Sequence, residues 1–162
     1  MNIIKWVTLI LIFSNFIACF ETNTFRIDND ILNGWDLDKS IKFEIKDTID
    51  FPSNIFFHIR NNNDYPFSNI FLISSLKSNE KIYETDTLEY MMADNKGEWL
   101  GEGFSRVKES KLLWKRNWKP NFLPPYIFEI KQANRKVGQI KADKKLYGIL
   151  SFGLSIEKIS NE

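Results

Sequence analysis

The chain contains one cysteine, Cys19, which follows an apolar segment that starts after Lys5 and runs from Trp6 to Ala18. An early positive charge, a short apolar stretch and a small residue before the break are typical of an export signal. Because there is no second cysteine, no internal disulfide can form, and an exported fold must depend on its hydrophobic core alone. The 14 Phe, 5 Tyr and 5 Trp supply the bulk for that core.

The position of Cys19 predicts a lipidation site. The residues before a lipidated cysteine are usually leucine-like, then small, then glycine or alanine, and Ala18 fits the last of these positions. A transmembrane helix is a poor alternative, because the apolar segment is shorter than the roughly 20 residues that a span needs. An ordinary cleaved signal is the other alternative, although the small-residue cleavage pattern is weak. We therefore expect a lipoprotein signal peptide over residues 1–18 and membrane attachment through lipid on Cys19.

The charge of the chain is balanced, with 22 basic and 21 acidic side chains. Removing residues 1–18 takes away only Lys5, so the mature chain is close to neutral. Nucleic acid is not expected as a partner, because phosphate binding needs a basic stripe. The length suits one domain. We expect a lipidated tether over residues 19–32, with little apolar periodicity, and a single domain over residues 33–162.

The apolar pattern predicts strands and no sustained helix. Residues 41–45 alternate apolar and charged side chains, the period of two of a strand with one wet face. Six further runs have strand character: 55–60, 70–76, 81–90, 112–118, 126–131 and 149–156. A long connection from Met91 to Glu109 holds either a short helix or a functional loop. The pattern favours an all-β, antiparallel β-sandwich of jelly-roll or immunoglobulin-like layering.

The residues offer little for catalysis or metal binding. His58 is the only histidine and lies between two apolar residues, which favours a packed, hydrogen-bonded core histidine over a catalytic base. Asp28 and Asp30 match a calcium loop poorly, because the ordered ligand series and closing glutamate do not follow. Glu98 and Glu102 form a carboxylate pair of a kind common among 21 acidic residues. We predict no enzyme activity, no metal and no cofactor.

Tryptophans suggest an alternative function in glycan binding. Aromatic faces on a β-sandwich can stack on sugars or anchor protein partners, whereas core packing is the commoner role for any single ring. Trp114 and Trp118 share one face of a predicted strand, so both are expected to be buried together or displayed together. Trp35 and Trp99 complete the set of candidates for an envelope lipoprotein that binds glycans through exposed tryptophans.

Two long motifs carry a resemblance to a known family. The first is HIRNNNDYPFSNIFL over residues 58–72, and the second extends from Asp86 through Trp99-Leu100-Gly101 to Leu112. Shorter matches lie at Asn33-Gly34-Trp35-Asp36 and at Ile156-Glu157-Lys158. The sequence resembles the GldH gliding-motility lipoproteins of the Bacteroidota over nearly the whole mature chain.

This resemblance implies a non-enzymatic, lipid-anchored component of the gliding apparatus, a system linked to type IX protein secretion. It also implies an outer-membrane anchor at Cys19 and partners among other gliding or secretion envelope proteins. Residues 20–23 contain one acid instead of the acidic cluster typical of surface-exposed lipoproteins, which favours the periplasmic face.

The loops that carry the motifs are the predicted partner-contact surface, since recognition generally lies on loops held by a rigid scaffold. The alternative is that these residues only fix two difficult turns, because Asn, Asp and Gly serve turns equally well. The candidate contact residues are Arg60, Asn61, Asn62, Asn63, Asp64, Tyr65, Trp99, Gly101, Gly103 and Phe104.

Overall fold

The structure is a computed structural model, and it describes residues 24–103, 105–136 and 138–159. Cys19 and the signal segment lie outside these residues, as does Phe104. The described residues contain ten strands: β1 (Thr24–Asp30), β2 (Trp35–Asp36), β3 (Ile41–Ile45), β4 (Ser53–Asn61), β5 (Asn69–Ser78), β6 (Lys81–Met91), β7 (Lys108–Trp118), β8 (Tyr126–Gln132), β9 (Lys145–Leu146) and β10 (Ile149–Lys158).

The strands form two four-stranded antiparallel sheets and one small ribbon. The first sheet has the order β1-β10-β4-β7, the second has the order β3-β8-β5-β6, and β2 pairs with β9. The long strands pair in a nested order. The first strand, β1, pairs with the last, β10, and the pairs β3 with β8, β4 with β7 and β5 with β6 follow inside it. This pairing is that of a jelly roll, a long antiparallel hairpin wrapped into two layers. The predicted all-β sandwich is confirmed, and the strand order identifies the jelly-roll form.

Aromatic rings fill the space between the two sheets. Phe57 of β4 stacks on Trp114 of β7 at 4.9 Å between ring centroids and contacts Phe152 of β10 at 5.1 Å. Across the layers, Trp114 meets Phe128 of β8 edge-on at 5.9 Å, and Phe152 meets Phe43 of β3 at 6.3 Å. Each such side chain contributes about 1.5–3 kcal/mol when fully buried. The core therefore supplies the stability that a disulfide supplies in many exported domains.

Strand β1 differs from the prediction for this part of the chain. Residues 24–30 were expected to continue an irregular tether, yet they pair with β10 along their whole length. The strand lies at a sheet edge and buries little, so its sequence lacks the apolar alternation of a half-buried strand. Ile27 alone of its side chains packs against the core, and the backbone hydrogen bonds to β10 hold the rest. Residues 24–30, which were assigned to the tether, are thus part of the first sheet.

The loop between β6 and β7 contains two isolated bridges, Ala93 with Trp99 and Glu102 with Glu109. The described residues of this loop form no helix, so the expected short helix is absent from them. The described residues include no helix that is long and apolar enough to cross a membrane.

The sandwich has two ends with different loops. The β1 end, where β1 begins, carries loop 46–52, the β5–β6 turn and loop 119–125, and there Ser78 Oγ donates to the Leu123 carbonyl at 3.0 Å. Trp118 and Tyr126 also meet at this end, at 5.9 Å. The loop end, on the opposite side, carries residues 62–68, 92–107 and 133–144.

Candidate functional site

Two loops at the loop end, residues 61–68 and 92–107, join into one surface, which we call the loop platform. Trp99 Nε1 donates a hydrogen bond to Asn63 Oδ1 at 3.1 Å, and the ring of Trp99 lies 6.1 Å from that of Tyr65. The two loops are far apart in the chain, so these contacts bring the two family motifs together in space. Asn63 and Trp99 also line a shallow depression with Gly97 and Lys108.

The first loop is built as a compact turn. The Asp64 amide donates to Asn62 Oδ1 at 3.0 Å, and Asn62 Nδ2 donates to Asp64 Oδ2 at 2.9 Å. Such side-chain bonds to the nearby backbone are the reason that Asn and Asp favour turns. The Asn62 amide donates to the Gly148 carbonyl at 2.9 Å, which seats the turn on the β9–β10 connection. Asn63 and Asp64 are exposed at its tip.

Tyr65 anchors this turn from below. It is 3% exposed, its hydroxyl donates to the Asn69 carbonyl at 2.7 Å, and Asn134 Nδ2 donates to that hydroxyl at 3.3 Å. Burial raises the pKa of Tyr65 well above its ordinary value, so the phenol stays protonated. Asn61 is fully buried as well. Among the predicted contact residues, Tyr65 and Asn61 therefore shape the turn, while Asn63 and Asp64 are open to a partner.

The second loop presents its own exposed tip. Asp94 Oδ1 accepts hydrogen bonds from the Lys96 and Glu98 amides, both at 2.8 Å, and Gly97 turns the chain with φ of +83°. The tip comes directly before Trp99, which is half-buried. This loop therefore displays charged side chains beside the Asn63–Asp64 tip.

Gly101 and Gly103 lie where the second loop folds back on β7. A Cβ on Gly101 would lie 2.7 Å from the Glu109 carbonyl oxygen, and one on Gly103, with φ of +136°, would lie 2.7 Å from that of Val107. Tight loop geometry therefore accounts for both glycines, in agreement with the alternative that these residues serve turns. Phe104, the last predicted contact residue, lies outside the described residues.

A groove of about 1190 Å³ runs beneath the second loop, across the outer face of the first sheet. Arg60, Gly101 and Gly103 line it, so the predicted contact residues fall on two neighbouring surfaces, the platform and this groove. Apolar side chains of Met91 and Leu100 form part of its rim and are 51% and 58% exposed.

A charged network crosses the floor of the groove. Arg26 of β1 reaches Glu109 of β7 at 2.9 Å and also pairs with Asp28 at 2.8 Å. His58 Nδ1 lies 3.3 Å from Glu109 Oε1, and its Nε2 lies 2.8 Å from Ser155 Oγ. The predicted packed, hydrogen-bonded histidine is thereby confirmed.

Ser155, His58 and Glu109 are connected in the order of a catalytic triad, but the serine is 1% exposed and its Oγ also donates to Glu157 Oε1 at 3.2 Å. Arg26 lowers the pKa of Glu109 against the opposing effect of partial burial. Burial and the neighbouring Arg26 charge lower the pKa of His58, so the ring is neutral at pH 7. The arrangement thus joins four strands of the first sheet through side chains.

His58 gives the fold a measurable pH dependence. Its pKa is lower in the folded protein than the value near 6.5 of the unfolded chain, so the unfolded chain binds more protons below that pH. The neutral His58 ring contributes its full stabilisation above about pH 6.5. This contribution is lost as the pH falls through the pKa that His58 has in the folded protein. We expect the free energy of unfolding to fall between pH 7 and 5, and to fall less in His58→Gln. Because this is the only histidine, urea titrations of both proteins isolate it; equal slopes would contradict the expectation.

Three tryptophans lie in the core rather than on a sugar-binding surface. Trp35 is 2% exposed, Trp114 8% and Trp118 7%, so the expected pair Trp114 and Trp118 is buried together. Trp35 donates its indole N–H to the Lys39 carbonyl at 2.8 Å. The alternative of glycan binding through exposed tryptophans therefore loses three of its four candidates, since Trp99 alone of the four reaches the surface, and only in part.

No group of three or more potential metal ligands comes together in the described part of the chain. Several residues of the site were not found from the sequence, namely Arg26, Glu109, Ser155 and Asn134. Each of these side chains bonds to a residue at least 50 positions away in the chain, and patterns within a single sequence do not reveal such contacts.

The fold and the platform define a jelly-roll domain that displays its turn-rich loops at one end, and comparison with known proteins gives the family. The family model described as GldH lipoprotein matches residues 24–156. The chain belongs to the GldH lipoprotein family, which confirms the resemblance seen in the sequence. No solved structure matches the chain.

Two curated relatives cover most of the chain. The gliding motility lipoprotein GldH homolog of Christiangramia forsetii is 39% identical over 132 residues, which are 80% of this chain and 81% of that protein. The gliding motility lipoprotein GldH of Flavobacterium johnsoniae is 36% identical over 151 residues, 92% of this chain and 91% of that protein.

Proposed function

We propose that this protein is a non-enzymatic accessory or scaffold component of the gliding-motility machinery, associated with type IX protein secretion. Lipid on Cys19 anchors it to the outer membrane, with the domain facing the periplasm. The jelly roll carries the loop platform, and the platform docks on other envelope proteins of the machinery. Membership of the GldH family is the observation that carries this proposal.

The geometry of the platform supports the docking role. Recognition surfaces commonly combine a rigid base with exposed polar groups and a partly buried aromatic ring. Tyr65 and Asn134 supply the base, and Trp99 supplies the ring. Asn63 and Asp64 are exposed without being needed for the core. The groove network supports a non-enzymatic role, since its serine is 1% exposed and hydrogen-bonded to both His58 and Glu157.

The double substitution Asn63→Ala with Asp64→Ala tests the docking role in cells. We expect gliding to be lost while the protein level stays normal, because only two exposed hydrogen bonds are lost, from Trp99 to Asn63 and from Asn62 to Asp64, at about 1 kcal/mol each. Glu44→Ala is the matched control, since Glu44 is exposed on the second sheet and its side chain forms a loose ion pair with Lys46 at 3.7 Å. Quantitative immunoblots and colony-spreading assays give both readouts. Normal gliding in the double variant would refute the contact role, and a depleted protein would assign both residues to turn formation.

A further inference from the structure

The length of chain between the anchor and the fold fixes which end of the sandwich is near the bilayer. This argument rests on the lipidation of Cys19 proposed above. Five residue steps separate Cys19 from Thr24, and they span at most about 18 Å. Strand β4 has nine residues and is about 30 Å long. The β1 end therefore stays within about 18 Å of the anchor, whereas the loop end can lie about 30 Å farther from it.

The β1 end exposes large apolar side chains. Leu123, in the loop between β7 and β8, is 77% exposed, and Ile82, just after the β5–β6 turn, is 56% exposed. Between these segments the rings of Tyr83 and Phe122 stack at 3.7 Å with an interplanar angle of 11°. Exposed apolar side chains beside an aromatic pair are typical of a surface that enters the membrane interface.

The loop that carries Leu123 is held in place. Ser78 Oγ donates to the Leu123 carbonyl, and Phe122 packs edge-on against Tyr126 at 5.5 Å. Pro120 and Pro124 restrict the backbone on both sides of this segment. Leu123 therefore points outward from a fixed loop, and little ordering is needed when it leaves water.

Charges at the β1 end are mixed. Lys81 Nζ lies 4.7 Å from the centre of the Tyr83 ring, and Lys158 Nζ lies 5.1 Å from that of Phe51, so both aliphatic stems cover apolar surface. Glu80 and Asp50 are exposed at the same end. Because cations and anions alternate there, contact with a bilayer would depend on apolar burial and only weakly on salt.

We propose that the β1 end rests on the bilayer that holds the anchor, with Leu123 and Ile82 entering the interfacial region. Exposed apolar residues also occur at the loop end, where Ile140 is 92% exposed, so exposure alone does not distinguish the ends. The short tether does, because it keeps the start of β1 within about 18 Å of the anchor and sets no such limit on the loop end. The contact fixes the domain upright and presents the loop platform to partners away from the membrane.

Fluorescence quenching in vesicles tests this contact. The lipidated protein with Leu123→Cys is labelled with an environment-sensitive dye and placed in phosphatidylcholine vesicles that contain lipids spin-labelled near the headgroup. Acylated Cys19 has no free thiol, so the dye reacts only at the introduced cysteine. Ile140→Cys is the matched control at the loop end. We expect at least fivefold stronger quenching at position 123 than at position 140, unchanged by 0.5 M salt; equal quenching overturns the proposal.

A second variant tests whether the quenching comes from contact of the protein surface with lipid and not from insertion of the dye itself. With the dye on Ile82→Cys, the added substitution Leu123→Asp is expected to reduce quenching at position 82 by at least half. No change would contradict a shared contact surface. Flotation of the same samples reports the anchor independently: protein that floats without quenching refutes the contact and leaves the anchor standing, while protein that does not float refutes the anchor itself.

Discussion

Gly148→Ala is expected to reduce the free energy of unfolding by more than about 3 kcal/mol, a large share of the stability of a domain of this size. Gly148 has φ of +80°, and a Cβ there would lie 2.6 Å from the Asp64 carbonyl carbon and closer still to the backbone of Tyr65. The overlap is with backbone, so no side-chain rotation relieves it. The first loop of the platform must then leave its seat, which exposes Tyr65. Urea denaturation of the purified protein measures the loss.

Gly97→Ala is the matched control for that substitution. Gly97 has nearly the same φ, +83°, but a Cβ there meets nothing within 4 Å. Only the strain of left-handed backbone is added, about 1–2 kcal/mol. The difference between the two variants therefore measures the close approach of residue 148 to the first loop. Equal losses in both would show that the loop does not rest on Gly148.

Cys19→Ala is expected to abolish the incorporation of labelled palmitate and to weaken the attachment of the protein to the outer membrane. Each acyl CH₂ buried in lipid contributes about 0.8 kcal/mol, so several chains give stable attachment and their loss leaves only the weaker contact of the β1 end. Membrane fractionation and incorporation of labelled palmitate give the two readouts.

Ser14→Ala serves as the control for that substitution, because it lies in the same apolar segment and leaves the cysteine unchanged. It should stay in the membrane fraction and incorporate palmitate. If the protein with Cys19 intact incorporates no palmitate, an ordinary cleaved signal replaces the lipoprotein assignment, and the membrane orientation proposed above falls with it.

The sequence predicted the strands in which apolar and polar side chains alternate and those in which both faces are apolar. Strand β3 was found with its observed bounds, Ile41–Ile45, because one of its faces is wet. The β5–β6 hairpin also follows the apolar runs. Strand β1 was missed because its backbone pairs with β10, while its side chains are mostly exposed and carry no periodic signal.

In the candidate site, too, the local contacts were predicted from the sequence and the contacts between distant segments were not. Asn62 and Asp64 form the expected local turn, since their bonds lie within two residues of each other in the chain. The seat on Gly148 and the buried bond from Asn134 join segments more than 60 residues apart. Nested jelly-roll pairing creates these contacts, and local patterns carry no information about it.

Affinity purification from native membranes tests the central claim most directly. The tagged protein and its Cys19→Ala form are extracted with mild detergent, and the proteins that accompany each are identified by mass spectrometry. A lipid-anchored assembly subunit predicts that gliding or type IX secretion components accompany the lipidated form alone. Recovery of no such component with either form, with the protein bound instead to cell-wall or capsule material, would contradict the account and favour a glycan-binding lipoprotein.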